Sequence, residues 1–575
     1  MLEDVDLADQ LRSRGLRERG PLGLVLGARA VGLGWSGGSL QVAADPVEVV
    51  RAAEPLRPRW TWWSARETAR PLVARRLHLR ACWDLGAVGR LAHGLRRDDP
   101  SAVWAAAHGL PEPAQLAPGG TDLFDLDAPD GSPVRPDGQL SREWLRGAWR
   151  DEPGHWAELA VQLQSAQERL LSALPDPRPR ARPPSLAVLT AWAESAAALL
   201  AVELERDGLP LDGSVASALL TEVLGPTPAD EAEAAARSAE RDAEVLREFP
   251  GPPVDLRSPS QVKALLARQG FELPDTRSWR LEPHAATSPA VAALLRWRKA
   301  ERLATTYGPS WLARSVGADG RLRGSWRAAD GASGRMTASA GLHNLPAELR
   351  PAVRAGPGHL LVRADLGQVE PRVLAAVSGD PGLARAAAQD DLYAPVAAAL
   401  GCDRPTAKVA VLAAMYGQTS GTAGAALRDL DRAYPVAMAH LRAAEQAGLR
   451  GTDLRTYGGR LLRLSAGPAA VPVGEHVAPS GAGRFARNAV VQGAAAELFK
   501  AWAATVRDGV ALLDGSIVLC LHDELLLHVP ERSGRAAADL LSDALQATAS
   551  WWAAGSGVRF VAEVQVASSW ADAHG

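Results

Sequence analysis

The first third of the chain alternates short apolar runs with turn residues. Residues 22–26 and 40–43 have the length and composition of strands, and Gly37-Gly38 between them predicts the turn. The Pro/Arg-rich segment DPRPRARPPS at 176–185 then reads as a linker. Beyond it the period lengthens. Residues 186–205 are rich in Ala and Leu at helical spacing, and interleaved acids and bases over 230–248 predict a long exposed helix. Residues 286–314 are again helical and carry Arg296, Arg298, Lys299, Arg302 and Arg314. From there strands and helices mix, and no solenoid-type repeat is present.

A chain of 575 residues exceeds one hydrophobic core and predicts several domains. Its apolar stretches are short and flanked by acids, so no membrane partner is expected. The acidic start MLEDVDLADQ lacks the order of a secretory signal. Cys82, Cys402 and Cys520 are scattered and make neither a disulfide framework nor a zinc site, which points to a reducing cytoplasm. The net charge of −3 means that binding to a polyanion must come from a local basic groove. Arg is abundant, whereas Lys occurs only at Lys263, Lys299, Lys408 and Lys500.

Three constellations carry chemistry. Leu360, Leu361 and Val362 lead as a strand to Asp365, and a turn at Gly367 opens a helix; a carboxylate at a strand end is rigidly presented to a metal. Taken alone, Asp365 suits a turn or helix cap equally. The apolar runs 517–521 and 525–529 flank His522-Asp523-Glu524, predicting a hairpin with acids at its tip, one inward and one partly solvated. Asp403 can cap a helix on which Arg404, Lys408, Leu412 and Tyr416 follow at four-residue spacing and share one broad face. An Arg and a Lys near a helix N-terminus form an anion cradle suited to a triphosphate; a solvated amphipathic face is the plainer alternative. Two carboxylates from distant segments can meet around two divalent ions, which is the equipment of nucleotidyl transfer.

These segments resemble the motifs of family A DNA polymerases, the bacterial DNA polymerase I type. DLGQVEPR (365–372), RPTAKVAVLAAMYG (404–417) and HDE (522–524) stand in family order, supported by SGRMTA (333–338), HNLP (343–346) and RNAVVQGAAAE (487–497). The resemblance implies a multidomain α+β fold. A right-hand polymerase would follow an α/β ribonuclease H-like exonuclease-type domain. The implied division is an exonuclease-like domain at 1–175, the linker at 176–185, thumb at 186–312, palm at 313–380 and 466–575, and fingers at 381–465. The implied activity is template-directed addition of deoxynucleoside monophosphates to a primer 3′ end, in repair or gap filling. Its partners would be primer-template DNA and dNTPs, with two Mg2+ ions replaceable by Mn2+. A monomer in the cytoplasm, at the nucleoid, is expected.

Carried over by position, the resemblance assigns the metals to Asp365, Asp523 and the Leu366 carbonyl, with Glu524 in support. Arg404 and Lys408 would grip the triphosphate, Lys408 as general acid. Gln368, Glu370, Tyr393, Leu412 and Tyr416 would surround the nucleotide, Glu370 crowding the sugar 2′ position. Arg335, Asn344, Arg484, Asn488, Gln492 and His522 would touch DNA, with His522 at the primer terminus and Arg335, Asn488 and Gln492 along the minor groove. Leu412 replaces the family's aromatic residue, Leu366-Gly367 a Tyr-Ser pair, and Tyr393 a histidine, which leaves sugar selectivity open.

The N-terminal third departs further. The proofreading fold needs four acidic ligands, yet no Asp-x-Glu stands near 22–43, WSARET (63–68) lacks the second motif, and HWAELA (155–160) offers only Glu158. Loss of exonuclease chemistry is therefore expected, and the family's 5′ nuclease domain finds no room in this sequence. Two alternatives stand beside this reading: a polymerase with a divergent but active 3′→5′ exonuclease, and a non-catalytic DNA-binding protein on the same fold.

Overall fold

The computed structural model describes residues 7–114, 131–417, 423–465 and 479–574. Helices and strands mix throughout, and the fold is multidomain α+β. Two compact units form. The first is Met1–Gly208 with Ser325–Ser339 and Pro357–Ala567; the second is Leu209–Gly324 with Ala340–Gly356 and Ser568–Gly575.

The first unit opens with a five-stranded sheet in the order Gly38–Val42, Val31–Trp35, Pro21–Leu26, Arg59–Trp62, Ala81–Asp84. The first three strands pair antiparallel with one another, and the last two run parallel to Pro21–Leu26. Two strands were expected before residue 44, and there are three, with the turn one residue earlier than Gly37-Gly38. The additional strand, Val31–Trp35, is buried throughout. Its glycines serve close packing rather than a turn. The helix Pro153–Ser172 lies directly on this face. A Cβ added at Gly23, Gly32 or Gly34 would stand 2.1–2.2 Å from the backbone of Pro153, Ala157 or Glu158.

The expected linker is fastened down. The buried Arg178 side chain pairs with Asp176 at 2.6 Å and donates to the carbonyls of Arg182, Pro184 and Trp551 at 2.7–3.0 Å. The helix that follows, Leu186–Asp207, corrects a second expectation. Its 22 residues and mean hydropathy of 1.5 are enough to cross a membrane. It is nevertheless a core helix of the first unit, because 78% of its apolar window is buried and it carries two buried acids in ion pairs. Glu194 pairs with Lys500 at 2.8 Å and Arg460 at 2.6 Å, and Glu203 with Arg507 at 2.5 Å. Each charge is matched, as burial in a low-dielectric interior requires.

The second sheet of this unit is antiparallel, in the order Ser516–Cys520, Glu524–Pro530, His359–Gly367, Val561–Ala567. Every residue of Glu524–Pro530 is buried, Glu524 and His528 included. The helix Gly534–Trp552 packs on the sheet, and the helix Pro479–Ala511 connects it to Leu186–Asp207 and Pro435–Arg450.

The second unit is mostly helical. Val245, Phe249, Leu256, Val262, Leu281 and Trp297 form its core. The helix Glu231–Arg247 is exposed as predicted, with Val245 its buried residue. Its start is fixed by Asp230 accepting from the Glu233 amide at 2.8 Å while Glu233 accepts from the Ala229 amide at 2.7 Å. The helix expected over 286–314 is two helices, Pro289–Thr306 and Pro309–Ser315. Gly308-Pro309 separates them, because proline supplies no amide to continue the ladder and suits a helix start.

Candidate active site

Asp365 lies inside the His359–Gly367 strand rather than at its end, which corrects the sequence expectation. The strand runs on because Leu366 and Gly367 pair with Ala562 and Val561. Asp365 stands directly opposite Glu524 on one side and Glu563 on the other. Directly opposed residues share a face, so three acids line one row across the sheet.

The hairpin tip is only His522-Asp523, because Leu521 donates its amide to the Glu524 carbonyl at 2.8 Å and closes a two-residue loop. Of the two acids, Glu524 is the inward one and Asp523 is half-buried at the tip. Glu524 is the first residue of its strand, is 4% exposed, and pairs with Arg363 at 3.0 Å. The Leu366 amide donates to the Asp523 carbonyl at 2.8 Å, so the two candidate metal-binding segments touch through their backbones. Burial, followed by the charges of Glu524 and Glu370, holds the Asp523 carboxyl above the usual range. Excess negative charge of this kind favours a cation. Among the described residues no three His, Cys, Asp or Glu side chains cage a metal by themselves. Two carboxylates with a backbone carbonyl fit a hard cation that keeps water and substrate oxygens as further ligands.

After Gly367 the chain turns through Gln368, whose φ is +57°, into the helix Val369–Ser378. Gln368 is committed to structure: it donates to Asp391 at 2.9 Å and accepts the Leu392 amide at 2.8 Å. Glu370 has both oxygens engaged, one by Arg335 at 2.7 Å and one by the Tyr416 hydroxyl at 2.7 Å. Three sequence motifs thus meet at one carboxylate. Burial, then the Glu370 contact, pushes the Tyr416 hydroxyl up to about 12, so it stays a donor.

The helix Arg404–Tyr416 is capped by Asp403, which accepts the Thr406 amide at 2.9 Å, and ends at Gly417 in the left-handed region. Arg404 and Lys408 are exposed, while Leu412 and Tyr416 are half-buried. Arg404 pairs with Asp391 at 2.7 Å and lies 5.6 Å from the ring centre of the buried Tyr393. Lys408 makes no hydrogen bond or ion pair among the described residues. The helix is anchored by Arg487, which donates to the Ala414 carbonyl at 2.7 Å and pairs with Glu445 at 2.8 Å.

Arg484, Asn488 and Gln492 recur every four residues along Pro479–Ala511; Arg484 lies beside Gly417, and Gln492 lies near the Tyr416 hydroxyl. The Asn488 side-chain oxygen is buried without a hydrogen-bond partner among the described residues. His522 is exposed at the hairpin tip. Asn344 belongs to the second unit, where its carbonyl accepts from the Tyr307 hydroxyl at 2.7 Å. Arg363, Asp391, Arg487 and Glu563 were missed by sequence reasoning. Arg363 alone carried a signal: a charge in an apolar strand, two residues and hence one face from Asp365.

The segments 22–43, 63–68 and 155–160 also converge, and on apolar contacts. Trp63 stacks on Trp156 at 4.4 Å and donates to its carbonyl at 3.2 Å, while Gly23 abuts Ala157. The buried Asp84 is engaged elsewhere. It accepts from Trp62 at 3.1 Å, the Ala65 amide at 2.6 Å and the Ala87 amide at 2.8 Å, and burial pushes it up to about 6.

A family model described as DNA polymerase family A matches residues 229–438 and 453–572. The thermostable DNA polymerase I of Thermus thermophilus is 28% identical over 467 residues, 73% of this chain and 53% of that protein. DNA polymerase I of Chloroflexus aurantiacus is 30% identical over 300 residues, 46% of this chain and 31% of that protein. The chain thus spans about half the length, or less, of these curated relatives. A solved structure of the POL domain of Pol1 from M. smegmatis, in complex with DNA primer-template and dNTP, shares the fold. The TM-score is 0.66 at 21% identity, covering 100% of this chain and 99% of that one.

Proposed function

The chain belongs to DNA polymerase family A, and from that premise we propose that it is a template-directed DNA polymerase extending a primer 3′ end from dNTPs, acting in repair or gap filling. The observation that carries this reading is the backbone contact of the Asp365 and Asp523 segments, beside a basic helix tied to Glu370 through Tyr416. Asp365, Asp523 and the Leu366 carbonyl would hold two magnesium ions, or manganese in their place. Bound there, the ions would make the primer hydroxyl more acidic and steady charge on departing pyrophosphate.

The chain's own residues do the rest. Arg404 leaves Asp391 for the triphosphate, an exchange of one anionic partner for another that its exposure permits. Lys408, free of partners within the described chain, approaches the same phosphates and can donate a proton to the leaving group. Glu370, held by Arg335 and Tyr416, closes the space beside the sugar. Asn488, Gln492 and Arg335, whose side-chain N–H groups can donate, would lie along the primer-template minor groove, where every correct base pair presents acceptors.

The N-terminal sheet is proposed to lack proofreading, because the segments 22–43, 63–68 and 155–160 do not offer the four acids a two-metal exonuclease site needs, and Trp63 and Trp156 stack where 63–68 and 155–160 meet. The test is primer extension by Asp523→Ala. Extension should fall by about a thousandfold or more while duplex binding persists. Undiminished extension would refute the reading. Magnesium-dependent shortening of a single-stranded 3′ end, lost on changing acids within 1–175, would refute the absence of proofreading.

A further inference from the structure

We propose that Arg363 is a resident cation of the carboxylate row, holding one oxygen of Asp365 and one of Glu524 and so competing with a divalent ion for Asp365. Residues two apart on a strand share a face, so Arg363 lies beside Asp365, and its register partner is Leu526, one face position from Glu524. Its guanidinium reaches Asp365 Oδ2 at 3.0 Å through Nη2 and Glu524 Oε2 at 3.0 Å through Nε. It is 7% exposed, so neither contact is a loose surface pairing.

A guanidinium never loses its charge; here it donates a hydrogen bond to Asp365 and faces Glu524 as an ion pair, with Nε making no hydrogen bond among the described residues. Without it, Glu524, Asp365 and Glu563 would stand in direct register as three like charges. Arg363 therefore allows the row to fold before any metal binds. The same contact withholds one oxygen of Asp365. The site binds divalent ions weakly when empty, and the incoming triphosphate, bringing its own oxygens, tips the balance. Metal loading thus becomes conditional on nucleotide.

This inference rests on the polymerase reading of the Asp365–Asp523 site, and its test is independent of turnover. Mn2+ binding to the full chain, without DNA or nucleotide, is followed by the electron paramagnetic resonance of free Mn2+. Arg363→Met should bind about ten- to a hundredfold more tightly than the wild type, the worth of one charge-assisted hydrogen bond. The gain should vanish when Asp365→Asn is added. If Arg363→Met does not fold, Arg363→Gln, which keeps a donor and loses the charge, is measured in its place and should shift the same way. Unchanged or weaker binding in the folded variant overturns the proposal, as does a gain that survives Asp365→Asn. An Asp365-dependent gain in a protein that extends no primer would leave Arg363 its role and refute the polymerase reading alone.

Discussion

Glu497 offers the most quantitative test of the physical picture. It sits in the RNAVVQGAAAE segment, which the family resemblance marks as functional, yet its surroundings are structural. The carboxylate is 1% exposed, accepts the Gly458 amide at 2.8 Å and is bonded by the Thr456 hydroxyl. Burial pushes it up from 4.5 to about 7. Below the unfolded value both states hold the proton. Between the two values the folded state keeps a proton that the unfolded chain has released, so stability falls as pH rises through this window. At about 1.36 kcal/mol per pKa unit the full cost is roughly 3 kcal/mol, of which about 2 kcal/mol develops between pH 5 and pH 7.5. Glu497→Gln keeps an acceptor for Gly458 and removes the titration. Urea unfolding of the full chain at the two pH values, followed by tryptophan fluorescence, should show wild type losing about 2 kcal/mol relative to the variant. The upper pH stays below the value of about 8 to which burial lowers Lys500, so that group stays mostly protonated throughout. Parallel pH dependence in the two proteins would refute the reasoning.

Two further predictions follow from particular contacts. Gly34→Val should cost about 3 kcal/mol or more in the unfolding free energy of the first unit, because the added atoms meet helix backbone that cannot rotate away; a wild-type melting curve would show that the helix does not seat on this sheet. Glu370→Ala should raise the ribo- to deoxynucleotide ratio of kcat/KM by about tenfold or more by opening the space beside the sugar, and an unchanged ratio would remove Glu370 from sugar selection.

Much of the site was legible because its signals are local. Asp403, Arg404, Lys408 and Tyr416 declare a capped helix with a basic first turn through spacing alone, and that helix forms from Arg404 to Tyr416. The hairpin around Asp523 follows from two apolar runs of strand length. The errors share one cause. Val31–Trp35 was hidden because its glycines resemble turn residues until a helix is laid against them. Which of Asp523 and Glu524 turns inward stayed open because adjacency in sequence says nothing of which residue closes a two-residue loop. The bonds by which the Gln368 amide joins the strand turn to Asp391-Leu392 also carried no signal in the sequence.

By itself the sequence determined which side chains share a face, where helices start and stop, and that two acids and a basic helix come in the order of a nucleotidyl-transfer enzyme. The faces and helix ends follow from covalent periodicity and local hydrogen bonding, which act within a few residues; the order of the motifs is what the family resemblance implies. Only the tertiary structure decided that Glu370 receives both Arg335 and Tyr416, that Arg363 bridges Asp365 and Glu524, and that a helix seals the N-terminal sheet. Those contacts join residues far apart in the chain, and their strength comes from burial, where an unmatched charge or a single added methyl group is costly. Long-range packing sets that environment, and no local pattern encodes it.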